Sequence, residues 1–154
     1  MNKKSTQKLS AAKSIFINRA KDKNVTGYFN YLEKGYEIFR HEKLILALKR
    51  YLYQNKSGNL LDIGCANGHF TDKVYRYFGF KKAVGIDFVP SLIKEAKTKY
   101  SHITFSQATL PKLKFKKNQF DLVVASEVLY YLKPSAQLVA IKKIKKIMKK
   151  IVIS

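Results

Sequence analysis

The sequence predicts an α/β fold in which helices flank a parallel β-sheet. Short apolar runs alternate with helical patterns from residue 57 onward, and this alternation implies parallel strands joined by right-handed crossovers. Residues 60–71 read as a buried strand that ends on the acid Asp62, turns through Gly64 and Gly68, and opens a helix. The next apolar run ends on Asp87. Acids at the carboxyl edge of a parallel sheet are typical of a site for a nucleotide-type cofactor.

The amino-terminal third of the chain carries helical signals. Residues 1–23 are polar and basic, and we expect a mobile arm or a frayed helix there. Residues 28–53 repeat apolar side chains at three- to five-residue steps with charges between them, which predicts a helix. We therefore divide the chain into a basic arm (1–23) and one domain, with a helical cap at 24–56 and a cofactor-binding core at 57–154.

Strands and helices alternate through this core. Helices are predicted from Asn67 onward, from Pro90 to about Tyr100, and from Pro134. Pro90 and Pro134 suit the first turn of a helix. Gly79 is predicted to end the first of them as a C-cap. Apolar runs predict five strands, at residues 60–63, 83–87, 103–106, 121–125 and 151–153.

Length and composition exclude several classes of protein. A chain of 154 residues with 46% hydrophobic side chains can bury one core. No run of eighteen apolar residues occurs and the N-terminus is polar, so neither a membrane-spanning helix nor a secretory signal is expected. The single cysteine, Cys65, excludes an internal disulfide and fits a reducing cytoplasm. The histidines His41, His69 and His102 are scattered, so no metal site is expected.

The formal net charge of +21 allows two interpretations. A nucleic-acid-binding protein would be basic, but lysine heavily outnumbers arginine here, and arginine has the planar fork that suits phosphate and bases. The lysines also run along the whole chain, which favours a generally solvated surface. Non-specific attraction to RNA or to anionic membranes at low salt remains a physical expectation.

The turn after the first strand distinguishes between classes of cofactor. A dinucleotide fingerprint requires G-x-G-x-x-G, but alignment from Gly64 places Ala66 and His69 at the second and third glycine positions. A Walker loop requires Gly-Lys-Ser/Thr, which this sequence lacks. The remaining pattern, Asp-x-Gly-x-Ala-x-Gly over residues 62–68, resembles motif I of the class I S-adenosylmethionine-dependent methyltransferases. That cofactor carries an ammonium and a sulfonium group but no phosphate, so an acidic edge suits it.

The resemblance to these methyltransferases covers residues 36–154. Residues 84–90 resemble the second strand of the family, residues 106–111 the loop after strand three, and residues 120–132 strand four with the segment that follows. This last segment, with Leu-Asp-Ile-Gly-Cys-Ala, is similar to the nodulation N-methyltransferases, which methylate the amine of a chitooligosaccharide sugar. The resemblance implies a Rossmann-like fold with an N-terminal helical cap over the cofactor.

The resemblance also implies that the sheet is incomplete. The family normally has seven strands, and here the predicted fifth strand ends the sequence, so the last two strands would be missing. An exposed apolar edge is an aggregation hazard. We therefore expect a truncated domain, a broken open reading frame, or a partner chain that covers the edge of strand five.

The resemblance implies roles for particular side chains. Asp62 is expected at the amino-acid end of the cofactor, Asp87 at the ribose hydroxyls, and Gln107 at the adenine amino group through its amide oxygen. Glu127 is the candidate catalytic residue, which would orient or deprotonate an attacking amine; a carboxylate that only stabilises a helix N-terminus is the alternative. The expected cofactor site is completed by Gly64, Ala66, Gly68, Phe88, Ala108 and Ser126.

Some of these positions depart from the family or allow a second interpretation. Ala66 replaces the usual glycine, and we expect its methyl group to be tolerated if its φ angle is negative. Arg40 and His41 resemble an Arg-His pair on the pre-strand helix of the nodulation enzymes and are candidates for a substrate or cofactor contact. Tyr130 and Tyr131 either line the pocket or, as we expect more often, only pack.

The sequence thus predicts a cytoplasmic enzyme that transfers a methyl group from S-adenosylmethionine to a small-molecule acceptor, an amine. The displacement occurs at an activated sulfonium, so alignment and desolvation suffice without a catalytic triad. Methyltransferases of base amino groups often carry Asn/Asp-Pro-Pro-Tyr after strand four, whereas residues 126–129 are Ser-Glu-Val-Leu, which favours a small substrate. Two alternatives stay open: an RNA methyltransferase, on charge alone, and a non-catalytic remnant or binding subunit, on the missing strands.

Overall fold

The computed structural model describes residues 36–52, 58–110 and 113–149. These residues form a four-stranded sheet, four α-helices and a short 3₁₀ helix. In chain order the elements are α1 (Tyr36–Leu52), β1 (Asn59–Ile63), α2 (His69–Phe78), β2 (Lys82–Asp87), α3 (Pro90–Lys99), β3 (Thr104–Gln107), β4 (Leu122–Val124), the 3₁₀ helix (Leu129–Tyr131) and α4 (Pro134–Ile147).

The sheet is parallel throughout, with the strand order β3-β2-β1-β4. Leu61 in the central strand β1 lies opposite Val84 of β2 on one side and Val123 of β4 on the other. The chain runs outward from β1 through β2 to β3 and then returns to the opposite side at β4. This reversal beside β1 opens a crevice at the carboxyl ends of the strands, where open α/β sheets bind ligands. The predicted α/β fold with a parallel sheet is confirmed.

Alternate residues of each strand face two separate cores, because successive side chains in a strand point to opposite faces. Leu60 faces a core shared with α1, α2 and α3, which contribute residues such as Leu48, Val74 and Ile93. Leu61 faces a core shared with α4. Both leucines are almost completely buried. The adjacent buried leucines of β1 therefore reflect a strand covered on both faces.

The helix boundaries agree with their local signals. Pro90 and Pro134 begin α3 and α4, as predicted. Gly79 caps α2 in a left-handed conformation (φ 66°), and its amide donates to the Tyr75 carbonyl. The first four strands begin and end within one residue of prediction, and β4 is one residue shorter at each end. No helix among the described residues is long and apolar enough to cross a lipid bilayer.

The chain returns to the β4 edge after α4. Phe120 and Met148 form a parallel bridge, and the Lys149 amide donates to the Phe120 carbonyl at 2.8 Å. The predicted fifth strand at residues 151–153 lies outside the described residues, as does the basic arm at residues 1–23.

Candidate functional site

The candidate site lies where β1 and β2 end side by side. Ile63 pairs with Ile86, so Asp62 and Asp87 reach the same edge of the sheet. The chain then turns sharply, and the amides of Gly64 and Cys65 both donate to the Ile86 carbonyl, at 2.7 and 3.0 Å. The sequence predicted that these acids and this turn lie at the same edge of the sheet, and the structure places them there. We call this region, with Ser126 at the end of β4, the carboxyl-edge site.

Asp87 is held by the backbone around it. Its Oδ2 accepts a hydrogen bond from the Ala66 amide at 3.1 Å, and its Oδ1 accepts one from the Val89 amide at 2.9 Å. Burial raises the pKa of Asp87, and the hydrogen bonds from the Val89, Ala66 and Phe88 amides act against this rise. Each carboxylate oxygen has a second lone pair. The carboxylate is therefore oriented and still able to accept hydrogen bonds from a ligand.

Asp62 is buried and has a partner that the sequence analysis missed. The Thr71 hydroxyl, on the first turn of α2, donates to Asp62 Oδ2 at 2.6 Å. Burial raises the pKa of Asp62 to about 6, against the lowering effect of the Thr71 hydrogen bond. The sequence signal for this partner was the polar residue Thr71 at a position on the buried face of α2, next to the apolar residues Phe70 and Val74.

Gly64 and Gly68 are required by the shape of the turn. Both have left-handed backbone angles, φ 79° and 83°. A Cβ atom on Gly64 would lie 2.4 Å from Cγ2 of Val128, and one on Gly68 would lie 2.7 Å from Cζ of Phe105. The turn is thus tight against the segments that follow β4 and form β3.

Ala66 differs from its expected conformation. Its φ angle is +48°, so the condition under which we expected the methyl group to be tolerated is not met. The left-handed region costs a residue with a Cβ atom about 1–2 kcal/mol. Ala66 therefore holds the turn in a strained conformation that the family's usual glycine would adopt freely.

Replacement of Ala66 by glycine should stabilise the protein. We expect Ala66→Gly to raise the free energy of unfolding by about 0.5–1 kcal/mol in urea denaturation, because relief of the left-handed strain exceeds the added flexibility of the unfolded chain. Ala136→Gly, within helix α4, should lower it by about 1 kcal/mol. A loss of stability in Ala66→Gly comparable to that in the control would contradict this interpretation.

A second wall of the site joins α1 to the end of β4. Arg40 Nη1 donates to the Ser126 hydroxyl at 2.8 Å and lies 3.9 Å from Oε1 of Glu127. The Glu127 side chain is 58% exposed, its φ angle is +57°, and it also interacts with the Tyr130 hydroxyl. Strained residues that the surroundings hold in place often occur at functional sites. Ser126 and Glu127 thus face the region where α1 covers the sheet edge.

The two tyrosines after β4 are arranged differently from the expected packing role. The Tyr130 hydroxyl donates to the Tyr131 hydroxyl at 2.7 Å, and the ring centroids are 4.1 Å apart. The rings contact one another, but Tyr130 is 57% and Tyr131 37% exposed. They lie at the surface beside Glu127 and are not part of either core.

A cavity at this edge extends from the glycine turn to α1. Polar side chains that line it are Arg40, His41, Asp62, Asn67, His69 and Ser126. His41 is buried and stacks on Phe70, with 4.5 Å between ring centroids. Burial, with the nearby charge of Arg40 as a second cause, lowers the pKa of His41 to about 4, so it is neutral at physiological pH.

Gln107, Phe88 and Ala108 lie on the other side of Asp87. Gln107 ends β3 directly opposite Asp87 in the register, and its Nε2 donates to the Phe88 carbonyl at 3.2 Å. The Ala108 amide donates to the Asp87 carbonyl at 3.0 Å. Gln107 is exposed, while Phe88 and Ala108 are partly buried. The three residues form a strip next to Asp87 on the side away from Asp62.

Comparison with known proteins relates this chain to one family. A family described as a methyltransferase domain matches residues 60–150. Nodulation protein S of Sinorhizobium fredii is 37% identical over 102 residues, which cover 64% of this chain and 45% of that protein. The chain spans about half the length, 45% and 42%, of the nodulation proteins of S. fredii and Rhizobium tropici that it matches.

Solved structures give the same relationship. The N-methyltransferase NodS from Bradyrhizobium japonicum WM9, in complex with S-adenosyl-L-homocysteine, matches with a TM-score of 0.65 and 32% identity, over 77% of this chain and 60% of that chain. A putative S-adenosyl-L-methionine-dependent methyltransferase from Methanococcus maripaludis has a TM-score of 0.69 at 17% identity, over 84% of this chain and 60% of that one, and this likeness concerns the fold alone.

Proposed function

Because this chain belongs to the class I S-adenosylmethionine-dependent methyltransferases, we propose that its carboxyl-edge site binds S-adenosylmethionine and transfers the methyl group to the amine of a small molecule. The observation that carries the proposal is the pair of buried acids, Asp62 and Asp87, at the ends of adjacent strands beside a left-handed glycine turn. The relationship to the N-methyltransferase NodS supports an amine as the acceptor.

The residues at this edge suit the cofactor chemically. Asp62 provides a carboxylate for an ammonium group, and Asp87 provides one for ribose hydroxyls. Gln107 can offer an amide oxygen to the adenine amino group. The turn at residues 64–68 contains no lysine or arginine, and an uncharged turn beside two acids suits a cationic ligand better than a phosphate. The set of donors and acceptors therefore fits S-adenosylmethionine.

The protein's contribution to the reaction would be alignment and proton handling. The cofactor, when bound, supplies an activated methyl group. Glu127 accepts the proton of the acceptor amine or orients its lone pair, since its carboxylate is exposed beside Ser126. Arg40 joins α1 to Ser126 and Glu127 on that side of the site. Asn67 and His69 line the opposite side of the cavity.

A methyl-transfer assay with the purified chain tests this proposal. Labelled S-adenosylmethionine is offered with primary amines and with hydroxyl compounds of matched shape, and we expect transfer to amines only. Glu127→Gln should lower kcat by about 100-fold, the typical range for general acid–base catalysis, with the affinity for S-adenosylhomocysteine unchanged. Transfer to hydroxyl compounds, or an unchanged kcat in Glu127→Gln, would refute the amine acceptor or the role of Glu127.

Cofactor binding should depend on pH through Asp62. Its folded pKa of about 6 exceeds the ordinary value of 3.8, so the folded protein binds more protons than the unfolded chain between these values. The stability contributed by this group is therefore present at low pH and falls as pH rises through this window, by about 3 kcal/mol in total.

A ligand ammonium favours the ionised form of Asp62. We expect the affinity for S-adenosylhomocysteine to rise from pH 5 to 7, and to level off above.

Titration calorimetry in buffers of different ionisation enthalpy checks this proton release. Asp62→Asn should bind more weakly and release fewer protons, while Asp87, whose pKa burial also raises, remains in both proteins. Asp121→Asn serves as the control because that carboxylate lies before β4, at the other edge of the sheet. Equal proton release by the original protein and Asp62→Asn would show that Asp62 does not titrate on binding.

A further inference from the structure

A cluster of lysines lies at the amino-terminal edge of the sheet, opposite the carboxyl-edge site. The amides of Lys81 and Lys82 donate to the Gly58 carbonyl just before β1, and the Asn118 amide donates to the Lys146 carbonyl at the end of α4. These contacts join the segments that precede β1, β2 and β4 to the last turn of α4. We define the amino-edge patch as six exposed lysines on these segments: Lys81, Lys82, Lys116, Lys117, Lys146 and Lys149.

The amino-edge patch has little opposing charge. The segments that carry it contain one acidic residue, Asp121, whose Oδ1 accepts from Lys149 Nζ at 2.9 Å and whose Oδ2 accepts from the Asn59 amide at 2.8 Å. The acids Asp62 and Asp87 lie instead at the carboxyl edge. The buried acids therefore lie at the cofactor edge of the sheet, whereas the amino-edge patch faces one partly exposed acid. Clustered lysines repel one another, and a polyanion relieves that repulsion.

We propose that the amino-edge patch binds the phosphate backbone of a nucleic-acid strand and serves as a docking surface separate from the methyl-transfer site. The patch contains lysines and no arginine, so we expect binding through point charges without base recognition. A five-residue strand such as β1 places the two edges about 16 Å apart. The nucleotides held on the patch therefore lie away from the methyl-transfer site, and the patch serves the enzyme as a tether.

A nucleic acid suits this patch better than a membrane surface. Proteins that lie in a bilayer interface bury large apolar side chains next to their lysines. Among the described residues, the exposed large apolar side chains belong to α1, the end of α2, the 3₁₀ helix and the first half of α4. None of them lies in the segments that carry the patch. A phosphate backbone requires only positive charge, which the patch offers.

Charge reversal with a matched control tests the proposal. Binding of a labelled oligouridine is followed by fluorescence anisotropy over about 50–200 mM KCl. The patch variant is Lys117→Glu/Lys146→Glu. The control is Lys94→Glu/Lys97→Glu on α3, which alters the net charge by the same amount as the patch variant. Lys97 lies in the last turn of α3, as Lys146 does in α4. We expect the patch variant to bind about tenfold more weakly or worse, with a salt slope shallower by about 2, and the control within about threefold.

Three outcomes would overturn the proposal. An equal loss in both variants would mean that net charge alone attracts the RNA. The protein could also bind phosphatidylserine vesicles or polyglutamate with the same affinity as RNA and lose that affinity equally in the patch variant. This result would assign the patch to another class of partner. Competition between S-adenosylhomocysteine and oligouridine would place the RNA at the carboxyl edge. Both variants should bind S-adenosylhomocysteine as the original chain does, which shows that they fold and keeps this test independent of the methyl-transfer assay.

Discussion

Replacement of Asp87 by alanine should weaken the binding of S-adenosylhomocysteine by about 100-fold or more. Each hydrogen bond to a charged carboxylate contributes about 1.5–3 kcal/mol, and two such bonds to the ribose diol correspond to a loss of that size. The carboxylate is oriented for this role by the Ala66 and Val89 amides. Titration calorimetry measures the loss, and thermal unfolding shows whether the variant is folded.

Asp121→Ala is a matched control for this effect. Asp121 also accepts a backbone hydrogen bond, from Asn59 at 2.8 Å, but it lies at the amino edge of the sheet. Its removal should lower stability while leaving the affinity for S-adenosylhomocysteine within about twofold, because no ligand contact is lost. A folded Asp87→Ala protein with full affinity would disprove the ribose role of Asp87.

Substitution of Gly68 by alanine should strongly destabilise the protein. An alanine there would have to adopt a φ angle near 83° and would place its Cβ 2.7 Å from Cζ and 3.0 Å from Cε1 of Phe105. Left-handed strain costs about 1–2 kcal/mol, and overpacking against an aromatic ring costs about 1–3 kcal/mol. We expect Gly68→Ala to lower the free energy of unfolding by about 3 kcal/mol in urea denaturation.

Gly79 separates the two causes. Its φ angle is 66°, and a Cβ atom there would meet no atom within 4 Å. Gly79→Ala therefore introduces only the backbone strain and should cost about 1 kcal/mol. If both substitutions cost the same, close packing of the turn against Phe105 contributes nothing measurable, and the backbone angle alone explains the need for glycine at position 68.

The fold was predictable because its signals are local. The apolar run of β1, the prolines that open α3 and α4, and the glycine that ends α2 each act within a few residues. The parallel direction of the strands followed from the alternation of elements. The placement of Asp62 and Asp87 at one edge then followed from parallel pairing.

Other features depend on contacts between distant parts of the chain. Arg40 and Ser126 are 86 positions apart, and nothing in either segment indicates their hydrogen bond. The left-handed angle of Ala66 is imposed by its neighbours, including the Asp87 carboxylate that accepts from its amide, because alanine alone prefers negative φ. The positions of Tyr130 and Tyr131 follow from a 3₁₀ turn that the sequence did not predict.

The hydrogen bonds that hold Asp87 affect how the site would bind ligands. Since the Ala66 and Val89 amides orient the carboxylate within the fold, the loss of its rotational freedom occurs during folding rather than during binding. A ligand then meets a preorganised acceptor, and less of its interaction energy is offset by ordering the protein. Variants that loosen the turn should therefore show a less favourable entropy of binding even where every ligand contact remains.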